Sequence, residues 1–365
     1  MLEVGPVERH VRKLTMIEGC WAISQTADGD HNARVEASCT EADMAVVVRI
    51  KAPGGADNLQ LEEVDLPEPG PGEVRLRQCA IGVNFIDIYQ RSGLYPLPNG
   101  IPGVEGAGIV AAKGPDVTGL SIGDRVAYAG APVGAYASER NLPAWRAVPL
   151  PSSVSEASAA STLLKGITAE MLLSRIYPVG IGTTLLVHSA AGGLGLVLTR
   201  LARLRGATII GTVGSDAKAE LARAAGVHHL IVGRDADFVT AVRRLTDGRG
   251  VDVAYDGIGG GTLARTLDCV RPFGTVASIG QSGGPIPSIT VEEIGPRRSL
   301  SLARPSVMAH VNDVDDYRRD AQAVLSALSA GKLVGDGTAY PLDQAIQAHV
   351  DLESGRSRGA LILVP

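Results

Sequence analysis

From Thr183 onward the apolar positions follow two alternating periods. The run 183-TTLLVHS-189 is a continuous apolar block, as a strand covered on both faces requires, and 193-GLGLVLTRLARLRG-206 has helical spacing closed by glycine. The alternation continues through 207-ATIIGTV-213, 216-DAKAELARAAG-226, 228-HHLIV-232, 235-DADFVTAVRRLTDG-248, 251-VDVAYDGIG-259, a helix near 261 to 271, and 273-FGTVASIG-280. Strands and helices in this order predict a doubly wound parallel sheet with right-handed crossovers, complete by residue 280.

Upstream the pattern is different. Short strands cut by Gly and Pro run through 44-MAVVVRIKAPGG-55, 73-EVRLRQCAIGV-83, 107-AGIVAA-112, 123-GDRVAYAG-130 and 134-GAYASERN-141, which predicts an irregular β-rich domain. A helix is expected over 155–173. Two more follow over 313–333 and 343–355, and a last strand, 359-GALILVP-365, is expected to return to the β-rich domain. The predicted class is α/β, with an extension at 1–43, a β-rich domain over 44–165, a nucleotide-binding domain over 166–300, and a return to the first domain over 301–365. The stretch 24–43 is polar and aperiodic, so 1–43 is expected to be disordered, or to precede a true start at Met44.

Composition narrows the function. Net charge is −5 and no Lys/Arg cluster is visible, which argues against nucleic acid. Four cysteines (Cys20, Cys39, Cys79, Cys269) have no CxxC spacing, so neither a disulfide framework nor a zinc knuckle is predicted. No apolar run reaches the roughly 18 to 20 residues of a membrane span, and no secretory h-region follows the N-terminal charges. The expectation is a reduced, cytoplasmic protein.

Two segments carry candidate chemistry. Residues 190-AAGGLG-195 lie between a strand and a helix and fit G-x-G-x-x-G with Ala190 in first place. Gly192 would let a pyrophosphate approach the backbone, and Gly195 would let helix pack on strand. The second strand ends 211-GTVGS-215 without an acid at its tip, and Lys218 follows, which favours a 2′-phosphate and hence NADPH. In 79-CAIGVNFIDIYQRSGLYPLP-98, Asn84, Asp87, Tyr89, Arg91 and Tyr95 crowd among apolar neighbours with no histidine.

Together, 81-IGVNFIDIYQRSGLYP-96, 102-PGVEGAGIV-110, 164-LKGITA-169, 189-SAAGGLG-195 and 304-RPS-306 resemble the NADPH:quinone oxidoreductases and zeta-crystallin, the zinc-free branch of the medium-chain dehydrogenases/reductases. The likeness covers about residues 44 to 365 and implies a GroES-like domain built from both chain ends around a Rossmann domain, and a homodimer. Zinc-dependent members of the superfamily ligate the metal with a cysteine where Asn84 stands and with the histidine of a GHE motif that here reads Gly103-Val104-Glu105, so no metal is expected. The resemblance implies that Asn84, Phe85, Ile86, Asp87, Ile88 and Tyr89 line the nicotinamide side, with Thr168 beside it, and that Tyr95 caps the substrate mouth. It assigns Gly193 and Leu194 to the pyrophosphate, Gly214, Ser215 and Lys218 to the adenosine phosphate, and Ile279, Gly280 and Gln281 to the ring's path along the sheet. Arg304 belongs to a later cofactor-facing segment, and a late cofactor arginine falls at Gly355 or Arg356. A tyrosine bordering the adenosine in relatives is Gly233 here, beside Arg234.

The implied activity is NADPH-dependent reduction of a quinone, with Tyr95, Asn84 and Tyr89 as candidate catalytic groups. Asp87 reads more readily as a structural acceptor than as an acid catalyst, and Tyr89 equally well as a packing residue. One alternative reduces an activated alkene: an enal, enone or enoyl thioester. A second, outside catalysis, is an NADPH-binding regulatory, crystallin-like or RNA-binding protein.

Overall fold

The computed structural model describes residues 14–17, 20–23, 44–357 and 359–365. The expected disorder of 1–43 falls largely outside these. Within that segment, β1 (Leu14–Ile17) and β2 (Cys20–Ile23) form an antiparallel pair with Leu14 opposite Ile23. Chain contacts divide the molecule between Ala42 and Asp43, and the second unit, described next, carries all the candidate chemistry.

It begins with an antiparallel pair, β3 (Met44–Ile50) and β4 (Leu59–Asp65). The long strand β5 (Glu73–Val83) leads into helix α1 (Phe85–Arg91), then β6 (Glu105–Lys113), β7 (Arg125–Ala129), β8 (Glu139–Pro143) and β9 (Val148–Pro149). Helix α2 (Glu156–Met171) is started by Ser155, whose hydroxyl accepts from the Ser158 N–H at 3.1 Å. It lies hard against β5 at Gly82, where a Cβ would stand 2.3 Å from both the Ala160 carbonyl and Glu105 Oε1. Only glycine admits that approach, and it is what seats Glu105 beneath the helix.

The nucleotide-binding half runs β10 (Thr184–Val187), α3 (Gly193–Leu204), β11 (Thr208–Val213), α4 (Asp216–Ala225), β12 (His229–Val232), α5 (Phe238–Leu245), β13 (Val251–Asp256), α6 (Gly260–Thr266) and β14 (Val270–Ser278). These strands are all parallel, in the order β12-β11-β10-β13-β14, and β13 is buried along its whole length. The order reverses between β10 and β13, where a ligand crevice belongs at the carboxyl ends of the strands. One expectation is corrected: the sheet does not end by residue 280. A sixth strand, β15 (Ser301–Ala303), pairs in parallel with β14. At three residues it is too short to leave a hydrophobic period.

The chain then forms α7 (Val314–Ser329), β16 (Gly337–Pro341), α8 (Ala345–Glu353) and β17 (Ala360–Val364). As expected, the last strand returns: β17 pairs antiparallel with β5, and the sheet order is β16-β17-β5-β6-β7-β9 with β8 also on β5. One core joins the halves through α2: Leu163 and Ile167 belong to the same buried cluster as Ala107 of β6, Leu198 of α3 and Val324 of α7.

Candidate functional site

Between the two halves lies a cleft of about 1040 Å³, large enough for a dinucleotide. One wall is α1. Asn84 precedes it in extended conformation, and Asp87 Oδ2 accepts the Asn84 N–H at 2.8 Å, which fixes the first turn. Helical spacing then sorts the residues. Phe85, Ile86, Tyr89 and Gln90 line the cleft, while Asp87, Ile88 and Arg91 are buried on the opposite side.

Asn84 Nδ2 donates to Glu105 Oε1 at 2.8 Å, and Lys165 Nζ reaches the same oxygen at 2.9 Å. Glu105 Oε2 accepts the Leu164 N–H at 2.8 Å, so this fully buried carboxylate has three donors and a counter-charge. Tyr89 Oη accepts the Gln281 N–H at 2.9 Å, a bond from the α1 wall to the loop after β14. Burial raises the Tyr89 pKa, so the hydroxyl keeps its proton and can still donate. Tyr95 stands edge-on to Tyr89, ring centroids 5.4 Å apart, and also lines the cleft.

The opposite wall is the glycine loop. Gly192, Gly193 and Leu194 line the cleft, and Gly192 forms a bridge with Gly359. At Gly195 a Cβ would come 2.4 Å from the Ser189 carbonyl, so helix and strand could not approach as they do with any larger residue. Thr168, Ile279, Gly280 and Arg304 also line the cleft, and Arg304 Nη1 donates to Ser278 Oγ at 3.0 Å. Farther along, Gly214 and Lys218 form its end with Arg234 and Gly355. Lys218 Nζ donates to the Gly355 carbonyl at 2.7 Å, and a Cβ on Gly355 would lie 3.8 Å from Arg234 Nη2 and 4.0 Å from Lys218 Nζ. Desolvation lowers the Lys218 pKa, and the Arg234 charge adds to it. Two adjacent cations with only a carbonyl between them suit a phosphate. A glycine loop at a helix N-terminus, at the crevice of a reversed parallel sheet, with that pair at one end, fits a dinucleotide carrying a 2′-phosphate.

Some predicted residues are not brought in. Asp87 and Ile88 face away from the cleft, Ser215 and Gln281 are not among its lining residues, and the guanidinium of Arg356 pairs with Asp351 at 2.9 Å instead. Others were missed. Lys165, Glu105, Gln90 and Arg234 had no place among the candidates, although a lone charge inside each of the apolar runs 163-LLKGI-167 and 104-VEGAGIV-110 was a signal for a buried pair.

Behind α1 runs a buried chain of polar groups. Arg91 Nη1 can only donate, so His349 Nδ1 accepts at 3.2 Å, and the ring proton sits on Nε2, 2.9 Å from Tyr136 Oη. Tyr136 in turn donates to Asp87 Oδ2 at 3.1 Å. Asp87 Oδ1 has no partner among the described residues, and burial pushes this carboxyl up to about 7. Burial, with the Arg91 charge behind it, holds His349 down to about 3.

Comparison with known proteins agrees with this geometry. The model "Alcohol dehydrogenase GroES-like domain" matches residues 70–152, and "Zinc-binding dehydrogenase" matches 193–326. A 2-haloacrylate reductase from a Burkholderia species is 40% identical over 331 residues, which span 88% of this chain and 99% of that protein. Quinone oxidoreductase 1 of Escherichia coli is 37% identical over 328 residues, 88% of this chain and 100% of its own. The solved structure of Escherichia coli quinone oxidoreductase complexed with NADPH aligns with a TM-score of 0.85 at 36% identity, over 88% of this chain and 100% of that one. Fold and cleft therefore define a medium-chain dehydrogenase/reductase. Within that class, the chain belongs to the quinone oxidoreductase family. At the positions where the resemblance implies ligands in the superfamily's zinc-dependent members, this chain has Asn84 and Val104, and among the described residues no group of three His, Cys, Asp or Glu side chains could hold a metal.

Proposed function

We propose that the chain is an NADPH-dependent quinone reductase that works without a metal. The observation that carries the reading is the paired Lys218 and Arg234 at one end of the glycine-loop cleft, opposite an aromatic end formed by Tyr89 and Tyr95. NADPH, when bound, supplies the hydride. The protein's part is to hold and orient: Gly192, Gly193 and Leu194 receive the diphosphate, Gly214, Lys218 and Arg234 the 2′-phosphate, and Phe85, Ile86, Thr168, Ile279 and Gly280 the nicotinamide end. Tyr95 contacts the substrate. Tyr89, with its acceptor side committed to Gln281, points its remaining O–H at an oxygen that gains negative charge. Asn84 is a positioning residue, because Glu105 holds its amide. A quinone accepts hydride without a Lewis acid, and Glu105 is already neutralised by Lys165, which supports metal independence.

Reduction of an activated alkene is a second reading, favoured by the 40% identity to a 2-haloacrylate reductase. NADPH oxidation measured with 1,4-benzoquinone, 9,10-phenanthrenequinone, 2-hexenal and 2-chloroacrylate separates the two. Turnover with the quinones alone supports the first reading, and turnover with the alkenes alone replaces it with the second. NADPH binding without oxidation by any acceptor would sink both. A homodimeric, cytoplasmic enzyme is part of the proposal, resting on the family resemblance, and light scattering of the purified chain tests its oligomeric state.

A further inference from the structure

Among the cations that line the cleft, Lys165 is placed differently from Lys218 and Arg234. Lys165 projects from the middle of α2, and its side chain is only 9% exposed. Its stem runs past the glycine loop: a Cβ on Gly193 would stand 3.1 Å from Lys165 Cε and 3.3 Å from Cδ. The ammonium group then meets Glu105 Oε1 at 2.9 Å, beside Asn84 Nδ2 on the same oxygen. Three N–H groups are available on a lysine, and Glu105 takes one, leaving two for a ligand in the cleft that Lys165 lines. A diphosphate lying on this loop carries two negative charges, against which the N-terminus of α3 offers only partial positive charge.

We propose that Lys165 is the diphosphate-binding cation of the cofactor cleft, aimed past Gly193 by Glu105. The cleft's charge is then divided by function. Lys218 and Arg234 read the 2′-phosphate, while Lys165 holds the diphosphate that every dinucleotide shares. This inference rests on the dinucleotide reading above.

Calorimetric titration of the full chain with NADPH, ADP-ribose and 2′,5′-ADP tests it, because ADP-ribose has the diphosphate without the 2′-phosphate and 2′,5′-ADP has the reverse. Lys165→Met is expected to weaken ADP-ribose and NADPH about 10- to 100-fold and to leave 2′,5′-ADP within about threefold. Lys218→Met is expected to give the opposite pattern, losing 2′,5′-ADP and sparing ADP-ribose. Lys165→Met also strands the Glu105 carboxylate, so Glu105→Gln/Lys165→Met serves as the second variant: it must show the same loss of ADP-ribose. Recovery of ADP-ribose binding in that double variant, or unchanged binding in Lys165→Met, overturns the proposal. A wild-type chain that binds none of the three overturns the dinucleotide reading itself.

Discussion

The two ends of the cleft solve recognition by different means. At the Gly214–Gly355 end, two cations stand together with no carboxylate of the described residues paired to either, and desolvation already depresses the Lys218 pKa. At the Asn84–Tyr95 end, the buried Glu105 carboxylate behind the lining is matched by Lys165 and the Asn84 amide, and much of the wall is aromatic and apolar. One end is built for a defined charge, the other for a flat, polarisable partner of loose identity. If the proposed roles hold, that contrast predicts a strict cofactor choice combined with a broad substrate choice, and experiments on either end can break it.

The largest effect is expected at the charged end. Lys218→Ala with Arg234→Ala should raise KM for NADPH by roughly 100- to 1000-fold, two lost charge-assisted bonds, and KM for NADH by only a few-fold. Equal losses for both nucleotides in steady-state kinetics would erase the distinction between the ends. Next in size is a stability effect beneath the neutral end. A carboxyl pushed up to about 7 holds a proton in the folded chain that the unfolded chain releases above about 4, so Asp87's contribution to stability falls as pH rises between those values. His349, held down to about 3, acts in the opposite sense: its contribution is complete above about 6.5 and is lost as pH falls. In the wild type the two slopes offset each other between about pH 4 and 6.5. Asp87→Asn leaves His349 uncompensated, so the variant should lose roughly 2 kcal/mol more than wild type on going from pH 6.5 to 5 in denaturant melts. Parallel curves would mean that Asp87 is ionised in the fold.

Tyr89→Phe removes the acceptor of the Gln281 N–H, and kcat/KM for the quinone should drop about fivefold, one neutral hydrogen bond. An unchanged value would reduce Tyr89 to packing. Smallest is a salt effect. Raising ionic strength from about 0.05 to 0.5 M should weaken NADPH binding several-fold and leave KM for the quinone unaltered, since screening acts on the exposed charges of one end only.

Much of this contrast was legible before any coordinates. The strand–helix alternation after Thr183 and the 190-AAGGLG-195 loop stand out because a doubly covered sheet and a crowded turn leave strong marks in residue choice. Lys218 was readable for the same reason, at a fixed distance from a strand end. Helix α1 was not. The stretch 85-FIDIYQR-91 is rich in β-branched and aromatic residues, and its helical state comes from the Asn84–Asp87 turn and from the bonds of Arg91 to His349 and Glu353 on α8, not from propensity. Without an assigned helix, nothing in the sequence marked the split that turns Asp87 and Ile88 away from the cleft. The family resemblance implies a late cofactor arginine at Gly355 or Arg356, but Asp351 five positions earlier claims the Arg356 guanidinium, and Arg234, next to the substituted Gly233, lines the cleft beside Lys218 and Gly355. The Lys165–Glu105 pair spans 60 residues, a separation no local pattern can encode.

The return of the final strand also bears on how the molecule is made. β17 inserts between β16 and β5, so the Ile81–Val83 end of β5 gains its outer neighbour from Leu361–Leu363, while β8 covers Glu73–Arg77. Emerging from the ribosome, the six-stranded nucleotide sheet has all its strands by residue 303 and can fold as a unit, whereas the β-rich sheet waits for Gly337–Pro341 and Ala360–Val364. A chain cut short before Ala360 would therefore carry a finished nucleotide fold next to an open Ile81–Val83 edge, a product that can bind the cofactor yet is prone to aggregate.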